Sequence, residues 1–107
     1  MSEADIERKV CSYAKAMGWK NRKFNSEPHD PDRMFWRRVE TPFGFTYAEV
    51  LFIEFKDLRL TPRDGQLRRH AELRHDGFPV FVIDNVDEGR KVFDDRYNLF
   101  LDELVNK

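Results

Sequence analysis

The segment Ala48-Glu-Val-Leu-Phe-Ile-Glu-Phe-Lys56 constrains the fold more than any other part of the chain. A run this rich in β-branched and aromatic side chains is covered on both faces at the centre of a sheet. Strand side chains alternate, so Val50, Phe52, Glu54 and Lys56 share one face while Leu51, Ile53 and Phe55 take the other. A carboxylate and an ammonium therefore stand side by side near the end of an apolar strand. Such charges are costly to bury without partners. A divalent cation or a phosphate would serve; the alternative is a fraying strand end with a surface ion pair.

The flanking segments supply the covering layers. Ile6, Val10, Tyr13, Ala14 and Met17 recur at intervals of three and four, which predicts a helix over about residues 3 to 17, capped by Ser2 with Asp5 and closed at Gly18. Trp19 to Phe24 reads as a short strand, Asn25 to Pro31 as a loop, and Met34 to Val39 as a second strand. Thr61-Pro-Arg-Asp predicts a helix over about 62 to 76, with Thr61 as its cap and Gly77 at its end. Pro79-Val-Phe-Val-Ile83 is a further buried strand, followed by a short helical stretch near 86 to 93. Tyr97, Phe100, Leu101, Leu104 and Val105 predict a last amphipathic helix. The expected class is α/β, a central mixed sheet flanked by helices in the order α-β-β-β-α-β-α.

At 107 residues, 40% hydrophobic and 14% aromatic, the chain can bury one core and leaves little room for a second domain. Residues 1–107 are expected to form one domain, with its core over about 2 to 85 and a helical extension over 86 to 107. Charged residues reach 36%, yet ten Phe, two Trp and three Tyr supply enough apolar area to argue against disorder. No run approaches the roughly 20 apolar residues needed to span a bilayer, and the N-terminus lacks a signal-peptide segment, so a cytoplasmic protein is expected. Cys11 stands alone in an amphipathic run and reads as a small core residue.

The net charge of −1 conceals a division. Residues 1–83 carry 15 Lys and Arg against 13 Asp and Glu, a net of +2, whereas residues 84–107 carry 4 against 7, a net of −3. Lys20, Arg22 and Lys23 form one basic cluster; Arg59, Arg63, Arg68, Arg69 and Arg74 form another with His70 and His75. Either cluster could face phosphates, or simply solvent.

Asp32, after Pro31, opens a strand that can pair with the central one, so two strands can deliver two carboxylates, Asp32 and Glu54. Hard cations such as Mg²⁺ use few protein carboxylates and keep water and phosphate in the other positions. The backbone carbonyl of Phe55 could add a third ligand, leaving Lys56 to orient or activate an attacking water and to stabilise developing charge. Glu7, at the edge of the polar face of the first helix, could lean toward the metal or face solvent. Gln66 and His70 lie four apart on the second helix and are accessory at best; His70 reads as a packing residue, and no second spaced His or Cys suggests zinc.

These residues lie in ordered blocks: Ser2-Glu-x-Asp-Ile-Glu7, Pro31-Asp-Arg33, Phe52-Ile-Glu-Phe-Lys56, and Thr61-Pro-x-x-x-Gln66-Leu-x-x-His70-x-x-Leu73-Arg-x-x-Gly77-Phe-x-Val80. Together, over about residues 2 to 85, they resemble the VRR-NUC domain, a branch of the PD-(D/E)xK nuclease superfamily with a restriction-endonuclease-like core. Ile6-Glu-Arg-Lys-Val10 with Gly18-Trp19 is also similar to the first helix of archaeal Holliday-junction resolvases. The resemblance implies that Glu7, Asp32 and Glu54 bind or position Mg²⁺ or Mn²⁺, that Lys56 is catalytic and that Gln66 supports the site. It implies hydrolysis of DNA phosphodiesters; stand-alone members resemble resolvases in acting as homodimers on branched DNA, the expectation taken here, while fused members serve in repair of crosslinked or structured DNA. Two departures stand out. His29-Asp30 occupies positions where small residues usually precede Pro-Asp, so Asp30 could compete for the metal or be a spare carboxylate. The segment between Asp32 and Glu54 is long and aromatic, and Phe43-Gly-Phe-Thr-Tyr47 could be a DNA wedge, a dimer contact or, first, a hairpin.

Lys23, Arg33, Arg68 and Arg69 are the expected phosphate contacts, and phosphate contacts favour recognition of DNA shape over base sequence. Competing expectations are a non-catalytic binding module on the same fold, and a nuclease acting on ordinary ends within a larger machine.

Overall fold

The computed structural model describes residues 1–57 and 60–105, with side chains as far as Arg96. Helix α1 (Glu3–Ala16) is followed by strands β1 (Lys20–Lys23), β2 (Arg33–Glu40) and β3 (Thr46–Phe55). Helix α2 (Asp64–His75), strand β4 (Val80–Ile83) and helix α3 (Val86–Val105) complete the chain, in the expected order. The sheet order is β1-β2-β3-β4. The first three strands form an antiparallel meander, and β4 lies parallel to β3, reached through the α2 crossover that a parallel pair requires.

β3 is the central strand, and Leu51 to Phe55 are all buried. Leu51, Ile53 and Phe55 join Phe35 against Ile6, Val10 and Ala14 of α1 and against Val92 and Phe93 of α3. Trp19 and Phe35 each bring a ring centroid to 5.2 Å from that of Phe93. On the other face Phe52 meets Phe24 at 4.7 Å and Phe78 at 5.6 Å. Glu54 is buried on that side against α2, whose one fully buried residue is His70.

The helix ends explain where the boundaries fall. Ser2 Oγ accepts the Asp5 N–H at 3.2 Å and caps α1 as expected, and Gly18 and Gly77 adopt positive φ after α1 and α2. α2 starts later than the Thr61-Pro motif suggests: Gln66 Oε1 accepts the Arg63 N–H at 3.0 Å, which makes Arg63 the cap and leaves Thr61 and Pro62 ahead of the helix. The two stretches near 86–93 and 97–105 are one helix, because Asp94, Asp95 and Arg96 contain no breaker. The apolar side chains expected from Tyr97 to Val105 lie outside the described residues, as does Arg59. Residues 41–45 are the tip of the β2–β3 hairpin, closed by Gly44 at φ 90° and by mutual bonds between Thr41 and Phe45. Phe43 and Phe45 are 61% and 65% exposed there.

Gly89 marks the crossing of α3 over α1. A Cβ at this position would lie 2.4 Å from Val10 Cγ2 and 3.3 Å from Ile83 Cγ2. Gly89→Ala gains helix propensity of about 1 kcal/mol but overpacks the contact, so a net loss of about 1–2 kcal/mol is expected. The readout is a lower urea midpoint; an unchanged or higher midpoint would mean that the helices do not approach this closely.

Candidate active site

The β2–β3 register pairs Arg33 with Ile53, which carries Asp32 alongside Glu54. Asp32 is fixed from two directions: its Oδ2 accepts the Phe55 N–H at 2.7 Å, and its carbonyl accepts the Phe24 N–H at 2.9 Å. Glu54, 2% exposed, turns toward α2, where its Oε2 accepts Gln66 Nε2 at 3.1 Å. Lys56, one residue beyond β3, places Nζ 3.7 Å from the same oxygen. The sheet and α2 thus bring Asp32, Glu54, Lys56 and Gln66 together. Gln66 ties the start of α2 to Glu54, since its other side-chain atom caps the helix.

The two carboxyls share a hydrogen bond and depend on each other for charge. Burial, then the neighbouring Asp32, push Glu54 up to about 7 against the opposing pull of Lys56. Asp32 is raised by burial, opposed by the Phe55 N–H, and raised further by the charge of Glu7. Two adjacent carboxylates, one buried and one half-buried, cannot both ionise cheaply, and a cation is the group that would let them. Among the described residues no three His, Cys, Asp or Glu side chains converge to enclose a metal. The convergent pair does fit a hard cation such as Mg²⁺ or Mn²⁺, which keeps several waters. Glu54 Oε1, moreover, is buried without a hydrogen-bond partner.

The architecture is similar to a solved structure described as a VRR_NUC domain, with a TM-score of 0.67 and 22% identity over 88% of this chain and 97% of that one. This chain has the VRR-NUC fold. No protein-family model and no curated protein matches the sequence. On this VRR-NUC fold Asp32 stands one residue before β2, Glu54 at the end of β3 and Lys56 one residue beyond it.

The remaining residues form the rim of the site. Glu7 accepts Arg33 Nε at 2.5 Å, and Arg33 Nη1 donates to Asn21 Oδ1 at 2.8 Å, so Glu7 reaches Asp32 through its field. Arg69 pairs with the buried Asp30 and with Glu72 at 3.4 Å. That pairing occupies Asp30, the carboxylate weighed above as a competitor for metal. It holds the loop in which His29 takes a positive φ of 72°. Lys23 and Arg68 are exposed. Cys11 is half-buried, and burial pushes its thiol up to about 11, which suits packing and not nucleophilic chemistry.

Two acidic residues at the rim were not singled out from the sequence. Glu3 is raised by burial and by Asp32, against Lys56, and its N–H donates to Asp57 Oδ1 at 2.7 Å. Its signal was available: Glu3 and Glu7 are four apart on α1 and face the same way.

Proposed function

We propose that the chain is a metal-dependent deoxyribonuclease that hydrolyses phosphodiester bonds at the Asp32–Glu54 pair. The observation that carries this reading is the pair itself, the half-buried Asp32 and the buried Glu54 brought side by side next to Lys56 on a VRR-NUC fold. Asp32, Glu54 and the carbonyl of Phe55 would hold Mg²⁺ or Mn²⁺, with the charge of Glu7 adding to the field at Asp32. When bound, such an ion lowers the pKa of water and offsets phosphate charge.

The residues divide the other tasks. Phe55 N–H orients Asp32, and Gln66 orients Glu54. Lys56 is placed to hydrogen-bond the attacking water and to stabilise charge on the phosphate oxygens. The water gives up a proton to solvent as its oxygen bonds to phosphorus, the bond from phosphorus to the leaving sugar oxygen breaks, and that oxygen takes up a proton from solvent. A cleft of about 440 Å³ beside the site is bordered by Arg8, Lys23 and Arg33. It offers a path for the phosphate backbone, with Arg68 and Arg69 on α2 as further contacts. These contacts read no bases, so selectivity rests on DNA shape.

Branched DNA is the substrate this reading favours, cut by a homodimer whose two sites act on two strands; the likeness of the first helix to that of junction resolvases supports it. One observation favours a binding-only module instead: Glu7, the third carboxylate, is committed to Arg33. Labelled four-way junction, flap, linear duplex and single strand, incubated with Mg²⁺, Mn²⁺ or EDTA, separate the two. Metal-dependent cutting with preference for the junction is expected, together with a dimer in light scattering. Cutting of other substrates would retain the chemistry and replace the substrate. Tight DNA binding without cutting in either metal would establish the binding module.

A further inference from the structure

Three polar atoms on the α2 side of the sheet are buried without hydrogen-bond partners: Glu54 Oε1 and both ring nitrogens of His70. His70 is 0% exposed, and it is the one fully buried residue of α2. A packing residue at that position would be apolar, since an unpaired buried imidazole is costly. Its Nε2 lies 3.6 Å from Glu54 Oε1, just outside hydrogen-bond range, and a movement of under about 1 Å would close the bond. Gln66, one turn earlier on the same helix face, already holds the other oxygen of that carboxylate.

We propose that His70 is a positioning residue for Glu54, donating Nε2–H to Oε1 so that the carboxylate is held by α2 at both oxygens and its Oε2 edge, beside Lys56, is presented to the cation. The proposal rests on reading Glu54 as a metal ligand and deepens that reading. Burial, with Arg74 and Lys56 nearby, pushes His70 below its ordinary value, so near neutral pH the ring carries one N–H. Glu54 Oε1 faces Nε2, which selects the Nε2–H tautomer. A bond from an N–H to a carboxylate is shorter and stronger than one to a neutral acceptor. Outer hydrogen bonds of this kind to metal-binding carboxylates typically contribute 10–100-fold to metal affinity or activity.

The test begins with the unmodified protein. ¹⁵N shifts of His70 are expected to report the Nε2–H tautomer, with its proton moving downfield when Mg²⁺ is added; an Nδ1–H tautomer would overturn the proposal without any substitution. Mn²⁺ affinity then compares wild type with His70→Met, His70→Gln and Glu54→Ala, with melting in EDTA as the control for folding. His70→Met is expected to bind Mn²⁺ about 10–100-fold more weakly without losing metal-free stability, and His70→Gln, which keeps a donor, to recover most of that loss. Wild-type affinity in His70→Met, or equal weakness in both variants, would overturn the positioning role. If Glu54→Ala binds Mn²⁺ as tightly as wild type, the reading of Glu54 as a ligand fails first; if Glu54→Ala loses binding and His70→Met does not, only this proposal fails.

Discussion

Glu54→Ala is expected to slow metal-dependent DNA cleavage by at least about 10³-fold, the rate equivalent of roughly 4 kcal/mol, and to weaken cation binding with it. Lys56→Ala should behave differently. On the proposed reading it removes a charge that acts on the water and on the phosphate, so a loss of about 10²–10³-fold in rate is expected while Mn²⁺ affinity changes by only a few fold. The difference follows from position: Glu54 is enclosed by Asp32, Gln66 and His70, whereas Lys56 sits past the strand end with Nζ 3.7 Å from Glu54. Single-turnover rates at saturating protein, paired with Mn²⁺ titrations, separate the two roles. A Lys56→Ala variant cleaving within tenfold of wild type would remove Lys56 from the chemistry. Lys56→Arg is not expected to substitute, because a planar guanidinium cannot take the place of a compact ammonium.

The second large effect is on stability, and it carries a sign. Glu54 is raised from its ordinary 4.5 to about 7 in the folded protein. A group that holds its proton more tightly when folded stabilises the fold fully below the unfolded value, and that contribution is lost as pH rises through the folded value. Metal-free protein should therefore lose on the order of 3 kcal/mol between about pH 4.5 and pH 8 from this group. Asp32, also raised, adds in the same direction. Glu54→Gln stays neutral and escapes the loss. In EDTA at pH 8 it should be the more stable protein, with the advantage fading toward pH 4.5. Mg²⁺ should stabilise wild type and leave the variant nearly unchanged. Urea melts of both proteins across this range isolate Glu54 and its influence on Asp32, since the groups away from the pair titrate alike in each; a difference that is flat with pH would mean that Glu54 is not raised in the folded protein.

Much of this site was legible in the chain because strand alternation is a strict rule. Glu54 and Lys56 had to share a face, and Pro31-Asp32 had to lie beside them once β2 paired with β3. The four-residue spacing of Ile6, Val10 and Ala14 gave α1 its buried face for the same kind of reason. What escaped were relations that depend on side-chain reach. No periodicity says that Gln66 spends its oxygen on the Arg63 N–H and thereby moves the start of α2 past Thr61. Nor does spacing show that His70 turns toward a carboxylate, or that Arg33 and Arg69 are engaged by Glu7 and Asp30. The fusion of two helical stretches into α3 shows the converse: a short polar interval, Asp94 to Arg96, interrupts an apolar pattern without interrupting the backbone.

Asp32 and Glu54 together are proposed to hold a divalent cation, and anomalous scattering from crystals soaked in Mn²⁺ is the sharpest test. A peak is expected about 2.1 Å from one oxygen of each carboxylate, absent from Glu54→Ala crystals treated the same way. A peak elsewhere in the protein, or none between Asp32 and Glu54 at Mn²⁺ concentrations that support cleavage, would contradict it.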